Sequence, residues 1–141
     1  MSDFYIGLMS GTSADGIDAT LVEINEHQVT IKAHLDTPYD TLLRDRILGL
    51  CSPADNEIDR MGALDQQLGK AFAQAVKLLL EQAEMNPQDI SSIGSHGQTI
   101  RHRPLGASPF TLQIADPNQI AHIPGITTIA DFRRRDMAAG G

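Results

Sequence analysis

The sequence has no tryptophan and one cysteine, and Phe and Tyr make up only 4% of its 141 residues. A lone Cys51 cannot close an internal disulfide, so the chain is not a stapled secreted domain. No Cys/His spacing fits a zinc site. No apolar run approaches the roughly 18 residues of a membrane-spanning helix. Met1-Ser2-Asp3-Phe4-Tyr5 lacks the basic and apolar regions of a secretory signal. These absences make the cytoplasm the simplest expected location. Basic residues are also scarce: 11 Lys and Arg stand against 18 Asp and Glu, a net charge of −7. Nucleic-acid binding needs a basic face for phosphates, so no nucleic-acid partner is expected.

What is present is an ordinary globular balance, 41% hydrophobic and 21% charged. That balance excludes a disordered acidic tail or a fibre. The length suits one domain, able to bury about two-thirds of its unfolded surface. The charge is uneven. Residues 1–90 carry 6 basic against 15 acidic residues, whereas residues 91–141 carry 5 Arg against 3 Asp. The positive last third can receive a small anionic ligand.

Apolar patterning predicts an opening meander of strands at Phe4–Met9, Ile17–Asn25 and Gln28–Thr37. Asp40 can cap a helix running to Leu50. Met61, Leu64, Leu68, Phe72, Ala75 and Leu79 step by three and four, predicting a long helix from Glu57 to Ala83 that Asn86-Pro87 stops. Further strands are expected at Ile90–Ser95, Phe110–Ala115 and Gly125–Ala130, with a short helix at Pro117–His122. The first of these is expected to end at His96-Gly97-Gln98-Thr99, the last at Asp131–Asp136. Arg101, His102 and Arg103 are expected to be solvated loop residues. Three antiparallel strands followed by helix-linked strands predict an α/β domain with a mixed sheet. Ligands then sit at the carboxyl ends of the parallel strands.

Three polar clusters each follow a predicted strand. Gly11-Thr12-Ser13-Ala14-Asp15-Gly16-Ile17-Asp18 has glycines that allow close backbone approach, and its turn N–H groups can form an anion-binding concavity. Asp15 or Asp18 can face a metal ion through water. It lacks the lysine of a Walker loop, and a plain hairpin turn is the competing reading. Ser95-His96-Gly97-Gln98-Thr99 offers hydrogen-bonding groups suited to a sugar, against a plain polar loop. Asp131-Phe132-Arg133-Arg134-Arg135-Asp136 offers guanidinium groups for a carboxylate or phosphate, against an ion-pair cluster with Asp131 or Asp136. Asp116 is a lesser acidic candidate.

These residues also resemble a known family. Met9–Asp18 resembles the N-terminal signature of the anhydro-N-acetylmuramic acid kinases. His96-Gly97-Gln98-Thr99 and Asp131–Asp136 resemble two further segments of that family, and Leu112–Asp116 a fourth, with Ala115 where glycine is expected. The resemblance implies the fold of the sugar kinase, actin and Hsp70 class, a ribonuclease H-like ATPase domain. It implies a kinase that uses ATP and Mg2+ to open 1,6-anhydro-N-acetylmuramic acid with water and phosphorylate O6, in cell-wall recycling. Gly11, Thr12, Ser13, Ala14, Asp15, Gly16, Ile17 and Asp18 would then take the ATP phosphates. His96, Gln98, Thr99, Arg133 and Arg134 would line the sugar side.

Members of that family are more than twice this long. Residues 1–141 therefore correspond to the N-terminal domain of a two-domain sugar kinase, and the chain is expected to be a piece of a longer protein. The general-base aspartate is expected in a later Asp-Thr-Gly-Pro segment, so these residues alone should be inactive. A homodimer is a plausible assembly.

Overall fold

The computed structural model describes all residues, 1–141. The meander forms as the apolar alternation requires. β1 (Asp3–Ser10) buries Ile6, Leu8 and Ser10, and β2 (Gly16–Ile24) buries Ile17, Ala19 and Leu21. β3 (Val29–Pro38) is an edge strand, with Val29 and Ile31 exposed. Asn25 makes the tight link between β2 and β3, its Oδ1 accepting the N–H groups of His27 and Gln28.

α1 (Thr41–Leu50) starts where Asp40 accepts the N–H of Leu43 at 2.7 Å. α2 (Glu57–Ala83) has the predicted bounds. It buries Leu64, Leu68, Phe72, Val76 and Leu79 in one core cluster with Ile6, Leu21 and Ile93 of the sheet. Its end is a left-handed residue, Glu84, from which Met85 N–H bonds back to Leu80 O. Pro87–Asp89 forms a single 3-10 turn before the chain re-enters the sheet.

Three expectations are corrected here. β4 (Ile90–Arg103) does not stop at Ser95. It continues because β5 (Phe110–Ile114) returns antiparallel against Gln98–Arg103 and gives those polar residues backbone partners. Arg101 is accordingly no solvated loop residue. Its side chain is 16% exposed and bonds Glu57 and the carbonyl of Leu50. After α3 (Pro117–His122), the last strand β6 is only Thr128–Ala130. Its expected first half is used to end α3, where Gly125 takes φ +75° and Gly125 and Ile126 bond back to Ala121 O. The arginine segment, to which the sequence assigned no element, is a short helix, α4 (Phe132–Ala138).

The sheet is mixed, as predicted, with order β3-β2-β1-β4-β5. β1 pairs parallel with β4, and β6 pairs parallel with the first half of β4. Leu8, Ser95 and Ala130 align across the three parallel strands. Their carboxyl ends, and therefore the three polar clusters, share one end of the sheet.

Candidate functional site

The turn after β1 is built around one buried side chain. Gln98 is fully buried at the point where β4 passes Ser10. Its Oε1 accepts the hydroxyls of Ser10 and, at 3.4 Å, Tyr39. Its Nε2 donates to Gly11 O at 3.0 Å and Thr99 O at 3.4 Å. The amide is thus used in full inside the protein, and Gln98 faces the Gly11 turn instead of open cavity. Burial pushes the Tyr39 phenol up to about 12, with the Ser10 hydrogen bond acting in the opposite sense.

The turn itself is tight. Ala14 takes φ +52° and donates to Gly11 O at 3.1 Å. A Cβ on Gly16 would lie 2.4 Å from Thr37 O, so only glycine lets the end of β3 cross it. Thr12, Ser13 and Asp15 are exposed, and Arg44 reaches Ser13 O at 3.3 Å. An open cavity of about 420 Å³ runs along Gly11, Ser13, Asp15, Asp18 and Asp36.

Asp18 faces Asp36 across β2 and β3. A hydrogen bond between the two carboxyls raises Asp18 above the usual carboxylate range, with burial adding to it, and lowers Asp36 below it. His34 Nε2 lies 2.8 Å from Asp36, and its Nδ1 lies 2.8 Å from Thr20 Oγ1. The ligand atoms of Asp18, His34 and Asp36 all lie within 4.8 Å of one another, a donor set that suits a divalent cation.

A second cavity, of about 280 Å³, opens beyond β4. Ser95, His96 and Gly97 line it from β4, Gln113 and Ala115 from the end of β5, Asp65 from α2, and Asp131 and Arg134 from the start of α4. His96 Nδ1 donates to Gly97 O at 3.1 Å, which leaves Nε2 to accept Arg133 Nε–H at 2.6 Å. Arg134 makes a two-pronged pair with Asp131, with Nε 2.8 Å from both carboxylate oxygens and Nη2 on Oδ2. That pair holds the Asp131 carboxyl below the usual range. Thr99 Oγ1 accepts Gln113 Nε2 at 3.1 Å. The buried Ser95 Oγ has no partner in the protein.

The sugar-side candidates are therefore distributed. His96 and Arg134 line the second cavity, Arg133 holds His96, Thr99 acts through Gln113, and Gln98 serves the Gly11 turn. Asp116 caps α3 through Asn118 N–H at 2.9 Å and takes Gln66 Nε2 at 2.7 Å. Residue patterning singled out neither Asp65 nor Gln113. Asp65 is a polar position in an amphipathic helix with no local signal, and Gln113 a polar position in a strand, marked only by the family resemblance of Leu112–Asp116. Chemically, one side of β4 offers turn N–H groups, hydroxyls and carboxylates, as a phosphate with its cation requires. The other offers a hydroxyl, an imidazole, an amide and guanidinium groups, as a polar organic acid or sugar requires.

Comparison with known proteins identifies the family. The sequence profile described as anhydro-N-acetylmuramic acid kinase matches residues 3–141. The chain is 52% identical over 140 residues to an anhydro-N-acetylmuramic acid kinase of Saccharophagus degradans, covering 97% of this chain and 38% of that protein. It is 53% identical over 137 residues to one of Coxiella burnetii, with 97% and 36% covered. A third, from Colwellia psychrerythraea, is 49% identical over 140 residues, with 98% and 35% covered. The chain thus spans little more than a third of the length of these relatives. With the profile matched from Asp3 to Gly141, the chain belongs to the anhydro-N-acetylmuramic acid kinase family.

Proposed function

We propose that these residues form the N-terminal domain of a cytoplasmic kinase for 1,6-anhydro-N-acetylmuramic acid, acting in cell-wall recycling. The observation that carries this reading is the alignment of β1, β4 and β6, which puts the Gly11–Asp18 turn and the His96–Arg134 cavity on either side of one sheet end. The strand order β3-β2-β1-β4, with β6 parallel beyond it, supports a ribonuclease H-like, actin-like domain. A second domain would close the cleft, and the family's general-base aspartate lies outside these residues. The domain alone is inactive in this account, and a homodimer is the proposed assembly.

The turn fits a magnesium nucleotide better than a bare phosphate. Its only nearby guanidinium, Arg44, sits 3.9 Å from Asp15, while Asp15, Asp18 and Asp36 line the same cavity. A phosphate there needs a cation between it and the carboxylates. Asp15 and Asp18 would hold Mg2+ through water, and residues 11–18 would take the ATP phosphates on their N–H groups and hydroxyls. ATP supplies the phosphoryl group.

In the reaction, water adds to C1, the C1–O6 bond breaks, and O6 accepts the γ-phosphoryl group as ADP leaves. The part this domain plays is positioning. Gln98 fixes the turn relative to β4, and therefore relative to the second cavity. Arg133 keeps His96 Nε2 occupied as an acceptor, so the neutral imidazole is a fixed wall. Arg134 and Asp131 present a guanidinium to the lactyl carboxylate of the sugar. The test is to incubate the protein in its full natural length with Mg-ATP and the anhydro sugar, and to weigh the products by mass spectrometry. A sugar heavier by one phosphate and one water is expected. ATP hydrolysis with unchanged sugar would favour an actin-like ATPase, and no change in either a sugar-binding module.

A further inference from the structure

Ala115 takes φ +101°, on the left-handed side that a Cβ disfavours. Such a conformation persists only where its surroundings fix it. Here the surroundings are one turn of α2. Asp65 accepts the Ala115 N–H on Oδ1 at 2.9 Å, and its own backbone carbonyl accepts the Asp116 N–H at 3.1 Å. Gln66 reaches the Asp116 carboxylate, and Gln119 reaches back to Gln66 at 2.7 Å. Gly69 lets the two backbones touch, since a Cβ there would lie 2.8 Å from Asp116 O.

The bracketed turn is also a cavity wall. Ile114, Ala115 and Pro117 line the second cavity beside Asp65, facing Ser95 and His96. The second carboxylate oxygen of Asp65 has no hydrogen-bond partner in the chain, and neither has the buried Ser95 Oγ. We infer that Asp65 is a positioning residue for the sugar-side cavity, holding the Ala115 turn in the shape that the sugar meets. This rests on the reading of that cavity as the sugar side.

The test uses the protein in its full natural length, with Asp65→Ala, Asp65→Asn and the double variant Asp65→Ala with Ala115→Gly. Asp65→Ala should raise KM for the anhydro sugar about tenfold while moving kcat and KM for ATP by less than about twofold. Asp65→Asn keeps an oxygen for the Ala115 N–H and should stay within about threefold of wild type. The double variant should recover most of the loss, because glycine adopts positive φ without support. An unchanged sugar KM in Asp65→Ala, or an equal loss for both substrates, would overturn the inference. So would failure of Ala115→Gly to rescue. Amide hydrogen exchange at Ala115 and Asp116 separates this from the function itself. It should quicken in Asp65→Ala and not in Asp65→Asn, whether or not the wild type turns over the sugar. If the wild type leaves the sugar untouched, the functional reading fails and exchange alone decides whether Asp65 holds the turn.

Discussion

Gln98 makes four hydrogen bonds inside the protein, and the Gly11 turn hangs from them. Its neighbour Tyr39 reports on the same buried knot. Burial raises the Tyr39 phenol to about 12 in the folded state, against 10.0 for the free group. Folding therefore favours the neutral phenol, and the stability this brings is fully present below pH 10. It is lost as pH climbs from about 10 to about 12, on the order of 2 kcal/mol in all. Tyr39→Phe should flatten that alkaline fall, as read from urea unfolding midpoints at stepped pH. An unchanged slope would mean that another group titrates there. Single residues were unevenly legible in the sequence. Turn formers and polar residues after apolar runs mark the clusters Gly11–Asp18, Ser95–Thr99 and Asp131–Asp136, but not which arginine of the last one lines the cavity. The inward face of Gln98 is invisible, because a glutamine between Gly97 and Thr99 looks the same whether it meets a ligand or a turn.

At the scale of elements, α2 does most to shape the site, and its glycines show how. Replacing a helical glycine by alanine gains about 1 kcal/mol of helix propensity. At Gly62 a Cβ meets nothing within 4 Å, so Gly62→Ala should stabilise by about that much. At Gly69 the same Cβ would lie 2.8 Å from Asp116 O and 3.0 Å from Asp116 N. Backbone atoms cannot move aside as a side chain can, and overpacking of this kind costs about 1–3 kcal/mol. Gly69→Ala should therefore destabilise, and thermal unfolding of the pair should show opposite signs. Equal signs would mean that α2 and the α3 turn do not pack as described. The sequence located α1, α2 and the meander closely, because caps and apolar periods are local. It cut β4 short and assigned no helix to the arginine segment. The polar half of β4 is a strand only because β5 pairs with it, a contact that no window of sequence contains.

For the molecule as a whole, the sheet sets the functional geometry. Parallel pairing of β1, β4 and β6 brings together segments about 85 and 35 residues apart in sequence. Their common location was legible as soon as each polar cluster was seen to follow a strand. Which side of β4 each cluster faces was not. Gln98 points one way and His96, two residues earlier, lines the other cavity. The central claim is this division into a nucleotide side and a sugar side. A crystal structure of the protein in its full natural length, with Mg2+, a non-hydrolysable ATP analogue and the anhydro sugar, tests it most directly. The account predicts phosphates against Gly11–Gly16 and the sugar between His96, Arg134 and the Ala115 turn. Phosphates in the His96 cavity, or a sugar lodged away from it, would contradict the account.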